Sequence, residues 1–292
     1  MRPGVVLGPA SQLLIHDIVG SQHLQSAVRL IATGRHLGFL AGPAVGGALL
    51  LIFGPAWGII LNILVYLPLT LWLWRAPYGP KFRDQELERG RPVKGFSDII
   101  ETVRAISGDR TIVSMILLSG AASFMVGSGH TSQLPEYSLA LGHADGLFYS
   151  LLFGANAAGA FCAGIVLESW NMLAPRPRTS VILVCLWSMA IGAFALTRDY
   201  PVALALLFIA GFLNLSYNSM AQALVQLNSP AAIRGRVIGL YAMSRNGLQA
   251  FSGVTIGMVG GVIGIHTSLA LSAVILLVMA LGLMPMTKRV VA

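Results

Sequence analysis

The chain has 292 residues, 55% of them hydrophobic and only 10% charged, with a mean hydropathy of +0.76. A water-soluble domain carries about 25% charged residues, so there is too little charge here to cover a water-facing surface, and the solvent must be largely lipid. The formal charge of +8 raises nucleic acid as a partner, a reading that stands or falls on where the basic residues lie.

From the N-terminus, "MRPGVVLGPASQLLIHDIVG" has one arginine and a short apolar patch broken by Gly8 and Pro9, without the apolar core or cleavage site of a signal peptide. Apolar stretches long enough to cross a bilayer, about 20 residues each, then recur to the C-terminus. They lie near 30–53, 56–74, 111–129, 147–167, 180–197, 202–222, 238–263 and 268–286. The expected fold is therefore an all-α integral membrane bundle of about eight transmembrane helices, since lipid-facing backbone must satisfy its own hydrogen bonds. Cys162 and Cys185 fall inside apolar runs and read as packing residues.

In the first span "GFLAGPAVGG" places Gly38, Gly42, Pro43, Gly46 and Gly47 within ten positions. Gly38, Gly42 and Gly46 are four apart and share a helix face, which allows another helix to approach closely. Pro43 should kink the helix about one turn earlier. A hinge or seal in a conformational cycle and simple tight packing both fit this pattern.

Between the second and third spans lies the only long polar segment, residues 76–110. Phe96, Ile99, Ile100, Val103 and Ile106 recur in it at helical spacing, and Asp98 with Glu101 could cap the start. The expectation is a short amphipathic helix along the membrane surface.

Positive charge orients the spans. Arg75 to Arg110 holds eight of the 19 basic residues, and an even span count puts both termini on the same side. Arg2, Arg29, Arg35, Arg176, Arg178, Arg234, Arg236, Lys288 and Arg289 fall on that side too, which makes 17 of 19. The expected topology is multi-pass in the plasma (inner) membrane with both termini cytoplasmic. The charge is an orientation signal, and nucleic acid drops out as a partner.

Few polar groups lie within the spans. Arg245 is the clear intramembrane charge, which should face a cavity or a partner unless it snorkels to the cytoplasmic end. Gln249 shares its face at i+4. Asn62, Asn156, Asn214, Asn218 and Gln222 are uncharged; each could join helices or line a path, and Asn214, Asn218 and Gln222 share one face. The cavity-lining candidates are Asn156, Asn214, Asn218, Gln222, Arg245 and Gln249. All 11 acidic residues lie in loops or at span ends, among them Asp17, Glu136, Asp145, Glu168 and Asp199. Glu136 and His143 are weak candidates for handling protons. Ser128 and His130, two apart in "GSGH", cannot readily form a catalytic dyad from one helix end and have no evident orienting group. No enzymatic activity, cofactor, metal site or phosphate loop is expected.

A loose internal repeat relates "QLLIHDIVGSQHLQSAVRL" from Gln12 to "QALVQLNSPAAIRGRVIGL" from Gln222, an offset of roughly 210 residues. It divides the chain into a partial N-terminal bundle at 1–75 (a helix stub and two spans), a linker with an amphipathic helix at 76–110, and a complete six-helix bundle at 111–292. On this reading the twin of the second bundle would begin about 105 positions before Met1, so the first bundle lacks its opening helices.

The motifs resemble the major facilitator superfamily. "GFLAGPAVGG" is similar to the fifth-helix signature G-x-x-x-G-P-x-x-G-G of its proton-coupled drug exporters. The longer signature has a glycine nine positions upstream, where this chain has Arg29. "GPASQLLIHDIV" and "NSMAQALVQLNSPAAIRGRVIGLY" resemble the enterobactin-exporter-like, or transmembrane secretion effector, branch. In the second, Asn218, Gln222, Pro230, Arg234, Gly235, Arg236, Val237 and Tyr241 match, with Arg234, Gly235 and Arg236 forming a cytoplasmic loop motif; Ala231 and Ala232 depart from it. "LPEYSLALGHADGLFYSLLFGANAAGA" is similar to the branch's mouth and eighth helix, and Glu168, Arg176 and Arg178 keep the charges of a weaker echo elsewhere.

The resemblance implies a secondary active transporter that exports a small amphipathic compound, such as a siderophore, macrolide or other drug-like molecule, usually driven by protons. Two bundles would rock about a midplane cavity. The alternative is a truncated, transport-inactive membrane protein or an assembly partner of another bundle.

Overall fold

The computed structural model describes residues 15, 19–20, 22–24, 26–31, 33–34, 38, 64–68, 70–72, 74–75, 96–127, 129–142, 146–169, 175–230 and 233–287. Every regular element among them is helical. Five helical stretches among the described residues are long and apolar enough to cross a membrane, Arg110–Ser132, Phe148–Leu167, Pro177–Leu196, Tyr200–Asn228 and Ile265–Thr287, the first of them broken at Gly127 and the last ending in a 3-10 turn. The expected spans 30–53 and 56–74 lie mostly outside the described residues; those described, such as 64–68, are helical.

Helix α1 (Phe96–Ile106) forms where the apolar spacing predicts it. It starts at Phe96, so Asp98 sits inside its first turn rather than ahead of it as a cap. Its apolar stripe is divided: Ile106 is buried against the bundle, while Ile100 and Val103 are exposed. Asp109 then caps α2 (Arg110–Met125), its carboxylate accepting from the backbone N–H of Thr111 at 2.8 Å and Ile112 at 3.1 Å.

The apolar run does not continue as one helix through 129. Gly127 turns into the left-handed region at φ +41°, a conformation that suits glycine. Two short helices follow, α3 (Gly129–Ser132) and α4 (Leu134–Ala140). Tyr137 anchors α4: its hydroxyl donates to Ile265 O at 2.9 Å, and its ring lies 4.9 Å from both Phe194 and His266. Burial, and then the neighbouring Glu136 carboxylate, raise the Tyr137 phenol above its ordinary range, so it stays a donor.

Next come α5 (Gly146–Ser169), α6 (Pro177–Leu196) and α7 (Tyr200–Asn228). The sequence near 238–263 forms α8 (Arg234–Ala242), a π turn (Met243–Gly247) and α9 (Leu248–Ile263). Gly264, at φ +87°, reverses the chain into α10 (Ile265–Leu283), followed by a 3-10 turn (Met284–Thr287).

The side-chain distribution is that of a protein solvated by lipid. Large apolar residues such as Leu186, Met189, Leu271, Val274 and Val278 lie outside, while Ser114, Ser119, Ser188, Ser216, Ser219 and Ser268 are buried. Lipid tails are as apolar as leucine, so burying leucine gives little drive for helix association; small residues that permit close contact matter more. Several interior serines bond their own helix, as in Ser188 Oγ to Cys185 O at 2.8 Å and Ser216 Oγ to Phe212 O at 2.7 Å, while Ser119 Oγ donates to the Tyr241 hydroxyl at 3.3 Å.

The most extensive contact joins α5 to α7. A Cβ on Gly159 would strike the backbone of Phe208, and one on Gly211 would strike the backbone of Asn156. Backbone meets backbone there, and no side chain can be inserted without moving a helix. α6 packs on α7 and α10, while α2 touches α7, α9 and α10. One cluster of buried residues joins Ile112, Met115, Trp187, Phe194, Tyr217 and Leu276.

Overpacking a tight contact costs about 2 kcal/mol, which corresponds to roughly 4–8 °C in Tm. Gly211→Ala should therefore lower the melting temperature in detergent by that amount. Gly239→Ala, where nothing lies within 4 Å of the added carbon, should leave it unchanged or raise it. Equal melting temperatures for the two variants would contradict the crossing.

Candidate functional site

The polar residues of α7 occur at four-residue spacing, which puts Asn214, Asn218 and Gln222 on one face, and all three are half-buried. Asn218 Nδ2 donates to Asn214 O at 3.0 Å and to Asn214 Oδ1 at 3.1 Å. These bonds stay within one helix. Asn218 Oδ1 is buried without a hydrogen-bond partner.

Arg245 lies within the π turn, half-buried. The wider i→i+5 turn was not predicted; such bulges often mark functional positions. It is held against α2: Ser244 Oγ donates to Ile116 O at 3.2 Å, and the space above Gly120 is filled by Ser244 and Leu248. Gln249 is half-buried one turn further on, in the first turn of α9.

Asn156 sits on α5 beside the crossing, and its Nδ2 lies 3.4 Å from His130 Nε2. His130 is 5% exposed, and its ring meets the Trp187 ring edge-on at 6.3 Å. Trp187 in turn lies 5.4 Å from Tyr217, which connects this pair to the α7 face. Trp187 Nε1 is buried without a hydrogen-bond partner. Sequence reasoning weighed His130 only as a partner of Ser128, which lies outside the described residues. The available signal was a histidine just past a Gly-x-Gly break at the end of an apolar run.

The loop motif opens α8. Arg234 and Gly235 occupy its first turn, and Arg236 Nη1 lies 3.7 Å from Glu101 Oε2 of α1. Cations at a helix N-terminus face the positive end of its dipole, and no acidic residue stands in that first turn. Glu101 supplies the opposing charge from outside.

Gly38 is helical and exposed, with open space where a Cβ would stand. Gly42, Pro43, Gly46 and Gly47 lie outside the described residues, as do Asn62, Asp17, His143 and Asp145. Glu136 is exposed in the first turn of α4. Cys162 and Cys185 are half-buried free thiols. Among the described residues no group of three or more His, Cys, Asp and Glu could hold a metal ion.

Removing one partner of a buried hydrogen bond costs about 1–3 kcal/mol, whereas replacing both by apolar groups can be nearly neutral. Asn156→Leu should therefore lower Tm by several degrees, and the His130→Leu/Asn156→Leu double variant should recover most of that loss. Strictly additive losses would show that the two side chains are not coupled.

The enterobactin exporter EntS of Shigella boydii serotype 18 is 24% identical over 248 residues, covering 83% of this chain and 56% of that protein. EntS of Escherichia coli (strain SMS-3-5 / SECEC) and of Escherichia coli (strain 55989 / EAEC) match at the same identity and coverage. The chain spans about half the length of these curated relatives. The family model of the Major Facilitator Superfamily matches residues 4–253. The all-helical, lipid-adapted bundle and this match together show that the chain is an integral, multi-pass membrane protein belonging to the Major Facilitator Superfamily, similar to the enterobactin exporters.

Proposed function

We propose that this chain serves as a secondary active transporter, and that it exports a small amphipathic compound such as a siderophore, macrolide or other drug-like molecule. The observation that carries the reading is the half-buried polar face of Asn214, Asn218 and Gln222 on α7, with Arg245 half-buried in the π turn proposed to serve the same path. Uncharged amides offer donors and acceptors to a polar ligand without the desolvation cost of a charge. One guanidinium nearby favours a ligand carrying negative charge or clustered oxygens.

The similarity to enterobactin exporters supports the direction of transport. The proposed arrangement is a partial bundle at 1–75, a linker at 76–110 and a six-helix bundle at 111–292, in the inner membrane with both termini cytoplasmic. The basic residues of the linker and of the α8 motif support that orientation. Gly38, Gly42, Pro43, Gly46 and Gly47 are proposed to form a hinge or seal between the bundles. The proposed driving force is the proton gradient. His130 is the buried histidine among the described residues, and it lies beside Asn156 of α5 and Trp187 of α6.

Accumulation assays in cells lacking their own exporters test this reading. Cells expressing the chain should retain less of an amphipathic dye or siderophore than controls, and a protonophore should abolish the difference. Asn218→Leu and Arg245→Leu should each reduce efflux at least tenfold at normal expression, as should Gly42→Leu for the hinge. Unchanged efflux in the first two variants would remove the α7 face from the pathway; unchanged efflux in the third would remove the hinge.

A further inference from the structure

Arg29 is 2% exposed, although a buried guanidinium is costly unless it is paired. Its Nη1 donates to Leu167 O at 2.6 Å, across 138 residues of sequence. Leu167 belongs to the last turn of α5, where helix carbonyls have no partner within the helix and the dipole is negative. The arginine therefore meets both a free acceptor and a favourable field.

A second contact lies one turn away on each helix. Thr33 Oγ1 bonds back to Arg29 O at 2.8 Å, and the Thr33 side chain fills the space where a Cβ on Gly164 would stand. Arg29 and Thr33 are four apart, and Gly164 and Leu167 three apart, so each pair shares one helix face. Leu24 and Val28, on the same segment, are buried as well. The contact joins a segment before the 76–110 linker to one after it.

We propose that Arg29 and Thr33, seated on Leu167 and Gly164, form a latch that holds the two halves of the chain together at this end of α5. The latch must release when the halves separate there. This rests on the two-bundle transport reading above. In that cycle the arginine sets the balance between the latched and the opened arrangement.

The test reads separation directly and needs no substrate. In the full chain with Cys162→Ser and Cys185→Ser, a Val28→Cys reporter is labelled with a water-soluble maleimide in detergent micelles. Labelling should be slow with Arg29 in place, at least tenfold faster with Arg29→Ala, and restored to within about threefold by Arg29→Lys. Gly164→Ala, which keeps the arginine but displaces Thr33, should also accelerate labelling, and it decides the question if Arg29→Ala does not fold. Rates within twofold of the parent in every folded variant would overturn the latch. Faster labelling in a chain that exports nothing would support the latch and overturn the transport reading. Unchanged labelling in an actively exporting chain would do the reverse.

Discussion

Where α5 crosses α7, the backbones of Gly159 and Gly211 come so close that no side chain fits between them. In lipid this kind of contact replaces the hydrophobic drive, because apolar surface gains little by leaving one oily environment for another. The crossing also sets the site. Asn156 is three residues before Gly159 and Asn214 three after Gly211, so each polar side chain lies within about a turn of the fixed point. Moving the crossing would move both. The same two helices carry the α5 end that receives Arg29 and the α7 polar face.

Around this contact the polar groups divide into two kinds. Ser188 and Ser216 bond carbonyls of their own helix and so require nothing from a neighbour, whereas Ser119 reaches the Tyr241 hydroxyl of α8 and Ser244 the Ile116 carbonyl of α2. Asn218 likewise bonds Asn214 within α7, although the sequence left open whether such residues would join helices. Asn156, by contrast, reaches another element through His130. A polar face satisfied mainly within its own helix does not depend on a neighbour staying in place. That suits a surface meant to meet a changing occupant.

Much of this was legible in the sequence because the bilayer imposes long-range regularities. Length and hydropathy located α5, α6, α7 and α10 closely, and the four-residue spacing of Asn214, Asn218 and Gln222 defined a shared face. Features set by tertiary contact were not legible. The π turn around Arg245 depends on Ser244 settling onto α2 above Gly120, and hydropathy does not register a wider turn. His130 looked like a loop-end residue until Gly127 turned the chain inward. Asp98 had the chemistry of a cap, but the helix began earlier, and Glu101 pairs with Arg236 of α8 instead. Arg29 read as an orienting charge at a span end; its burial against α5 follows only from the packing of distant segments.

The account rests on the α7 polar face opening to water rather than being sealed in the bundle. The most direct measurement is the reactivity of single cysteines at 214, 216 and 218, in a background without Cys162 and Cys185, toward a small charged thiol reagent in membranes. Asn214→Cys and Asn218→Cys should react readily, while Ser216→Cys, at a buried position between them, should stay inert. Equal and negligible reactivity at all three positions would contradict the account.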